Sequence, residues 1–180
     1  MVPWLLGNAL ANQLVWFAAV LGAARGSSLP GVAMALLFLL VQLRLLKDPG
    51  RELGFVLLLT LAGGCLDSIL SMLGLVDYAP SRSFDWLAPA WIWALWLSFA
   101  LTVRHSLRSL LRRAWAAPFL GLAGAPLAYM AAHRMQAVEV ALPGLLVIGL
   151  CWSLFLSSLG RVLSENRPAL RLALSKEGKA

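Results

Sequence analysis

Long apolar segments dominate the chain, and short polar or turn-forming segments separate them. The apolar segments comprise residues 3–24, 29–46, 52–76, 86–107, 114–132 and 138–162. About 20 consecutive apolar residues cross the hydrocarbon core of a bilayer as a helix, so each segment is a candidate transmembrane span. Turn signals such as Asp48-Pro49-Gly50 lie between the segments.

Composition agrees with a membrane protein. The chain is 61% hydrophobic and 13% charged, and its mean hydropathy is +0.81. A soluble domain averages about 45–50% apolar and about 25% charged residues. We therefore expect an all-α, polytopic bundle of six transmembrane helices at residues 1–163, followed by a basic cytoplasmic tail at residues 164–180.

The distribution of positive charge predicts the orientation. Of the 15 lysines and arginines, a six-span arrangement puts all but three on the side that holds both termini. Cytoplasmic loops carry this excess, so we expect a multi-pass membrane protein with both termini cytoplasmic. The charges sit at span ends rather than on one face, so nucleic acid is not an expected partner. Membrane lipids are expected partners, and a membrane-protein partner is an alternative.

Asp67 is the only acidic residue well inside a predicted span. An ionised aspartate there costs about 2.5–3.5 kcal/mol, and such residues are functional by default. Asp67 is therefore our candidate proton carrier, catalytic acid or base, or polar anchor for a ligand. The structural alternative is a protonated side chain that forms a hydrogen bond between helices. Small or polar residues recur around it at helical spacing and predict either close packing or a cavity wall: Thr60, Gly63, Gly64, Ser71 and Gly74.

The first span carries amides on one helical face. Asn8, Asn12 and Trp16 follow at four-residue steps, with Gln13 beside them. Amides in lipid must find partners. These side chains either form hydrogen bonds between helices or orient a ligand.

Tryptophans are concentrated in the fourth span, which contains Trp91, Trp93 and Trp96. Trp96 falls at about the same predicted depth as Asp67 and Trp16. These residues could line one pocket with an aromatic wall suited to a flat, unsaturated or cationic ligand. Packing of an aromatic core is the alternative.

Two further candidates lie at the ends of spans. Tyr129 shares a face of the fifth span with Gly121 and Ala125, and Pro126 predicts a kink that could open a cavity. His105 lies at the inner end of the fourth span and is a candidate ligand-binding residue.

Motifs for metals and cofactors are missing from the sequence. It contains no HExxH, CxxC, P-loop or GxGxxG pattern. His105 and His133 fall on opposite sides of the predicted membrane, so they cannot share a metal. We expect no metal and no cofactor, and the two cysteines indicate no disulfide framework.

Several short motifs together resemble a bacterial inner-membrane family known as domain of unknown function 2878. The resemblance covers about residues 5–160 and departs from the family at Arg108-Ser109, where a tryptophan is expected. The family's genes often lie near genes for fatty-acid modification and envelope stress, which implies a lipid-related role. The motifs are Asn8…Gln13-x-x-Trp16-Phe17, Asp67-Ser68, Leu87-Ala88-Pro89-x-Trp91, Leu95-Trp96-x-x-Phe99-Ala100, His105-Ser106-Leu107 and Gly121-x-x-Gly124-x-Pro126-Leu127-x-Tyr129.

Three functions fit these observations. The first is binding or processing of a lipophilic, fatty-acyl or isoprenoid-like ligand in an intramembrane cavity around Asp67. The second is a small proton-coupled transporter, which would need a continuous polar path. The third is a non-catalytic membrane subunit of a lipid or envelope complex. Whether the protein is an enzyme stays open, because one acid without a clear partner is weak support for catalysis.

Overall fold

Helices joined by short turns make up almost all of the protein in a computed structural model that describes residues 2–46, 48–79 and 86–165. A π-helical turn, Leu120–Gly124, connects α6 to α7 without a break, and two short strands pair with each other. The elements are α1 (Val2–Ala23), α2 (Leu29–Leu45), α3 (Pro49–Met72), β1 (Val76–Tyr78), α4 (Ala90–Val103), α5 (Arg108–Leu111), α6 (Ala116–Phe119), α7 (Ala125–Arg134), β2 (Val138–Val140) and α8 (Leu142–Glu165).

Local sequence signals explain where the long helices begin and end. Pro49 opens α3, and the Asp48 side chain caps it by accepting a hydrogen bond from the backbone N–H of Arg51 at 3.3 Å. Gly74, with a φ of +68°, stops the chain from continuing as a helix. The predicted third span, residues 52–76, is therefore too long at its end, because the helix stops at Met72 and Val76 belongs to a strand.

A two-stranded antiparallel sheet is the one departure from an all-helical fold in the described residues. Val76 faces Val140, Asp77 faces Glu139 and Tyr78 faces Val138. The apolar side chains of β1 are buried, whereas both acids are exposed. This pairing holds the ends of α3 and α7 together, so Val138 starts a strand and not the sixth helix as predicted.

The fourth and fifth predicted spans are also less regular than expected. The helix of the fourth span is limited to α4, because Pro89 precedes it and turns follow Val103. The fifth span includes the π-helical turn, which ends two residues before Pro126. A π-helical turn is wider than an α-helical turn, and it accommodates the helical hydrogen bond that is lost because proline has no backbone N–H.

Membrane insertion is supported by helix length and by the outer surface. Three described helices are long and apolar enough to cross a membrane: Pro3–Ala23, Pro49–Met72 and Leu142–Ser164. Exposed leucines at four-residue steps follow the outer sides of α1 and α8. Such stripes fit a lipid environment. The number of six spans and the cytoplasmic termini stay predictions, and most of the predicted tail (residues 164–180) lies outside the described residues.

Helix α4 is the centre of the bundle. It packs against α1, α2 and α3, and none of residues 91–103 is exposed. A second group is formed by α6, the π-helical turn, α7 and α8. The functional candidates lie mainly where these two groups meet.

Candidate functional site

A cavity of about 520 Å³ lies between the two helix groups. Its walls are mostly apolar, and among the described residues Asp67 and Tyr129 are the titratable side chains that line it. The lining residues are Asn12, Gln13, Trp16, Val20, Asp67, Trp91, Ile92, Leu95, Trp96, Ser98, Phe99, Leu107, Leu120, Gly124, Ala125, Leu127, Ala128, Tyr129, Ala131, Ala132, Val138, Trp152 and Leu156.

Asp67 connects the two groups of helices. Its Oδ2 accepts a hydrogen bond from Trp96 Nε1 of α4 at 2.7 Å, and its Oδ1 accepts one from the Tyr129 hydroxyl of α7 at 2.5 Å. The side chain is only 2% exposed. Both donors are neutral, and in the described part of the chain no basic side chain forms an ion pair with Asp67. A buried carboxyl group with lone pairs beyond these two bonds is therefore available at the cavity wall.

Tyr78 extends this network from outside the long helices. Its hydroxyl lies 3.4 Å from that of Tyr129. Either hydroxyl can be the donor of this pair. Burial raises the pKa of the Tyr78 hydroxyl well above its ordinary range, which keeps this hydroxyl neutral. Sequence reasoning missed Tyr78 because it assigned residues 77–85 to a polar loop, although Val76-Asp77-Tyr78 alternates as a strand does.

A glycine makes the contact between Asp67 and Trp96 possible. Gly63 lies one helical turn before Asp67, and a Cβ atom built on it would lie 1.9 Å from the Trp96 ring. The ring therefore packs directly on the α3 backbone. Trp96 also stacks on Trp152 of α8 at 4.5 Å between centroids and 14° between planes. The aromatic wall expected from the sequence thus includes a tryptophan from α8 that the sequence did not single out.

The α1 side of the cavity contains three of the predicted residues. Asn12 Oδ1 accepts a hydrogen bond from Ser98 Oγ at 2.9 Å, and Trp16 is half-buried. Gln13 is exposed, and so is Leu127 on α7, at 62%. Helices α1 and α7 thus each contribute to the cavity wall a residue that is also exposed on the outer surface of the bundle.

Asn8 lies outside this cavity. Its Nδ2 donates to Gln42 Oε1 at 2.7 Å and to the Leu101 carbonyl at 3.1 Å, and its Oδ1 accepts from Ser106 Oγ at 2.6 Å. Gln42 also donates to the Leu101 carbonyl at 2.9 Å. These bonds join α1, α2 and the end of α4. They match the alternative in which the amides form hydrogen bonds between helices.

Trp93 and His105 also lie outside the cavity lining. Trp93 Nε1 donates to the Ala88 carbonyl at 3.0 Å. His105 Nε2 lies 2.9 Å from Glu52 Oε1, and Glu52 Oε2 lies 3.1 Å from Arg104 Nη1. Glu52 is 5% exposed. It was missed because an acid in the first turn of a helix is ordinarily a solvated terminal charge.

The described residues contain no group of three His, Cys, Asp or Glu side chains that could hold a metal ion. Their polar groups instead form hydrogen-bond networks at two levels of the bundle. One level contains Asp67 at the cavity, and the other contains Asn8 and Glu52 at the opposite end.

The fold and the cavity define a helical membrane-embedded protein with a buried carboxyl group. The chain belongs to the family described as "Protein of unknown function (DUF2878)", which it matches over residues 5–158. This confirms the resemblance found in the sequence. No curated protein and no solved structure matches the chain.

Proposed function

We propose that this protein binds or processes a lipophilic molecule in the cavity around Asp67. The observation that carries the proposal is the cavity itself, of about 520 Å³, with mostly apolar walls and one buried carboxyl group. Sites for small molecules have volumes of about 300–1,000 Å³ and combine apolar walls with a few polar groups that fix orientation.

Entry from the bilayer is supported by the surface between α1 and α7. Gln13 and Leu127 line the cavity and are exposed. In a membrane this surface would face lipid, so a lipophilic molecule would reach Asp67 without crossing water. The part of the cavity lined by Leu107, Leu120 and Leu156 suits an aliphatic chain.

We propose six spans with both termini cytoplasmic, in a bacterial inner membrane. The β1–β2 pairing and the contact of Glu52 with His105 support an up-and-down order of helices. The 14 residues of α4 would span about 21 Å, less than the roughly 30 Å hydrocarbon core. Because protein surrounds α4, its ends need not meet lipid.

A proton-coupled transporter has less support. It would need polar groups that connect Asp67 to the other end of the bundle. At that end Asn8 and Glu52 lie outside the cavity lining, and the cavity wall is apolar at Leu107 and Leu156.

The test is purification of wild type and Asp67→Asn in native lipid particles, followed by mass spectrometry of the lipids retained. The matched control is Asp77→Asn, the same substitution at an exposed strand position. We expect one lipophilic species to be enriched over bulk lipid in wild type and control and lost in Asp67→Asn. Equal bulk phospholipid in three equally stable samples would refute the proposal and favour a docking subunit.

A further inference from the structure

Two indole N–H groups at the cavity lack partners. Trp91 Nε1 and Trp152 Nε1 are buried and have no hydrogen-bond partner in the described structure. Both residues line the cavity, and Trp91 is only 1% exposed. Buried donors are almost always paired, because burying an unsatisfied one destabilises the folded protein.

Both donors belong to the surroundings of Asp67. Trp152 stacks on Trp96, whose own N–H occupies Asp67 Oδ2. The Trp152 N–H lies near the Tyr129 hydroxyl without forming a bond of normal geometry. Trp91 packs edge-on against Tyr78, at 5.7 Å between centroids. The cavity is thus lined by a carboxyl group and by two indoles whose N–H groups form no hydrogen bond in the described structure, all in or against one hydrophobic cluster.

This combination selects among lipid head groups. A carboxylate or phosphate would accept from the indoles, but none of the described residues that line the cavity is a lysine, arginine or histidine that would offset its repulsion from an ionised Asp67. An ammonium group would pair with Asp67, but it has no lone pair to accept from the indoles. A hydroxyl group donates one hydrogen bond and accepts two. With the Asp67 carboxylate as acceptor and the two indoles as donors, all three hydrogen-bonding positions of one hydroxyl would be used.

We propose that the cavity binds an uncharged, hydroxyl-bearing lipid, with its hydroxyl on Asp67 and the two indole N–H groups and its chain along the apolar walls. This deepens the proposed function and rests on it. Fatty alcohols and isoprenoid alcohols belong to this class, whereas ionised fatty acids and phospholipids do not.

The experiment compares four probes with the same 16-carbon chain on the full protein in detergent micelles. They are hexadecanol, its methyl ether, hexadecyl sulfate and hexadecyltrimethylammonium. Tryptophan labelled with ¹⁵N reports each indole N–H by NMR, and Trp91→Phe and Trp152→Phe identify the two relevant signals. Trp115→Phe is the control, since Trp115 is 66% exposed and lies outside the cavity lining.

We expect hexadecanol to shift the two identified signals and to bind at least about tenfold more tightly than the other three probes. Either cavity variant should weaken hexadecanol binding by about tenfold, which corresponds to about 1.4 kcal/mol, while the control should not. If one variant fails to fold, the affinities of the wild type for the four probes still test the inference. Equal or tighter binding of the ether or the sulfate would overturn the inference but keep the proposed cavity. Binding of no probe, together with no retained lipid, would overturn both.

Discussion

A methyl group added at Gly63 should displace the Trp96 ring from Asp67. The Cβ atom of Gly63→Ala would lie 1.9, 2.0 and 2.3 Å from three atoms of the ring. Carbon atoms pack at about 3.5–4.0 Å, so the ring must move by more than about 1 Å. That movement breaks the 2.7 Å bond to Asp67 and disturbs the stack on Trp152.

The expected loss follows from these two effects. Overpacking costs about 1–3 kcal/mol, and a hydrogen bond to a charged group contributes about 1.5–3 kcal/mol. Alanine regains up to about 1 kcal/mol of helix propensity. We therefore expect the free energy of unfolding to fall by about 1.5–5 kcal/mol.

The assay is unfolding in mixed micelles, followed by tryptophan fluorescence. Gly54→Ala is the control because Gly54 lies in the same helix and a Cβ there meets nothing within 4 Å. It should be neutral or slightly stabilising. If both variants unfold at the same point, the close contact between α3 and Trp96 is not present and this reasoning fails.

Three further predictions concern other parts of the bundle and use the same unfolding assay. Gly121→Ala places a Cβ 2.3 Å from the α8 backbone and should lower the free energy of unfolding by about 2–4 kcal/mol. The control is Gly124→Ala, whose nearest contact is at 3.4 Å and which should cost less than about 1 kcal/mol. Equal losses in the two variants would contradict this packing. Asn8→Ala leaves buried partners unsatisfied and should cost about 1–3 kcal/mol; no loss would exclude the interhelical role. Glu52→Gln should lower the free energy of unfolding by about 1 kcal/mol. It should also weaken the dependence of stability on salt, because the paired Arg104 side chain is 39% exposed. Unchanged salt dependence would refute an ionic contribution.

Helical periodicity and depth were enough to bring part of the site together from the sequence. Asp67, Trp96 and Trp16 were expected at one level, and all three line the cavity. This works because a helix advances by a fixed 1.5 Å per residue, so counting from a span end gives a depth. The same counting gives no rotation of one helix against another, so the separate network of Asn8 could not be foreseen.

Contacts between residues that are far apart in the sequence could not be predicted from it. Tyr78 meets Tyr129 because two three-residue strands pair across 60 residues of sequence. Strands this short carry too little pattern to be recognised. Trp152 was overlooked because an isolated tryptophan in an apolar helix has no spacing signal, and only the fold places it on Trp96.

The central position of α4 has a consequence for biosynthesis. Asn12 and Asp67 find partners on α4, and Glu52 finds its partners in the turn that follows it. A chain is made from its N-terminus, so α1–α3 leave the ribosome while α4 is still unmade. The first three helices would then enter the membrane with these polar groups unsatisfied. Nascent chains that stop before α4 should therefore depend on the insertion machinery to shield them and be early targets of membrane quality control.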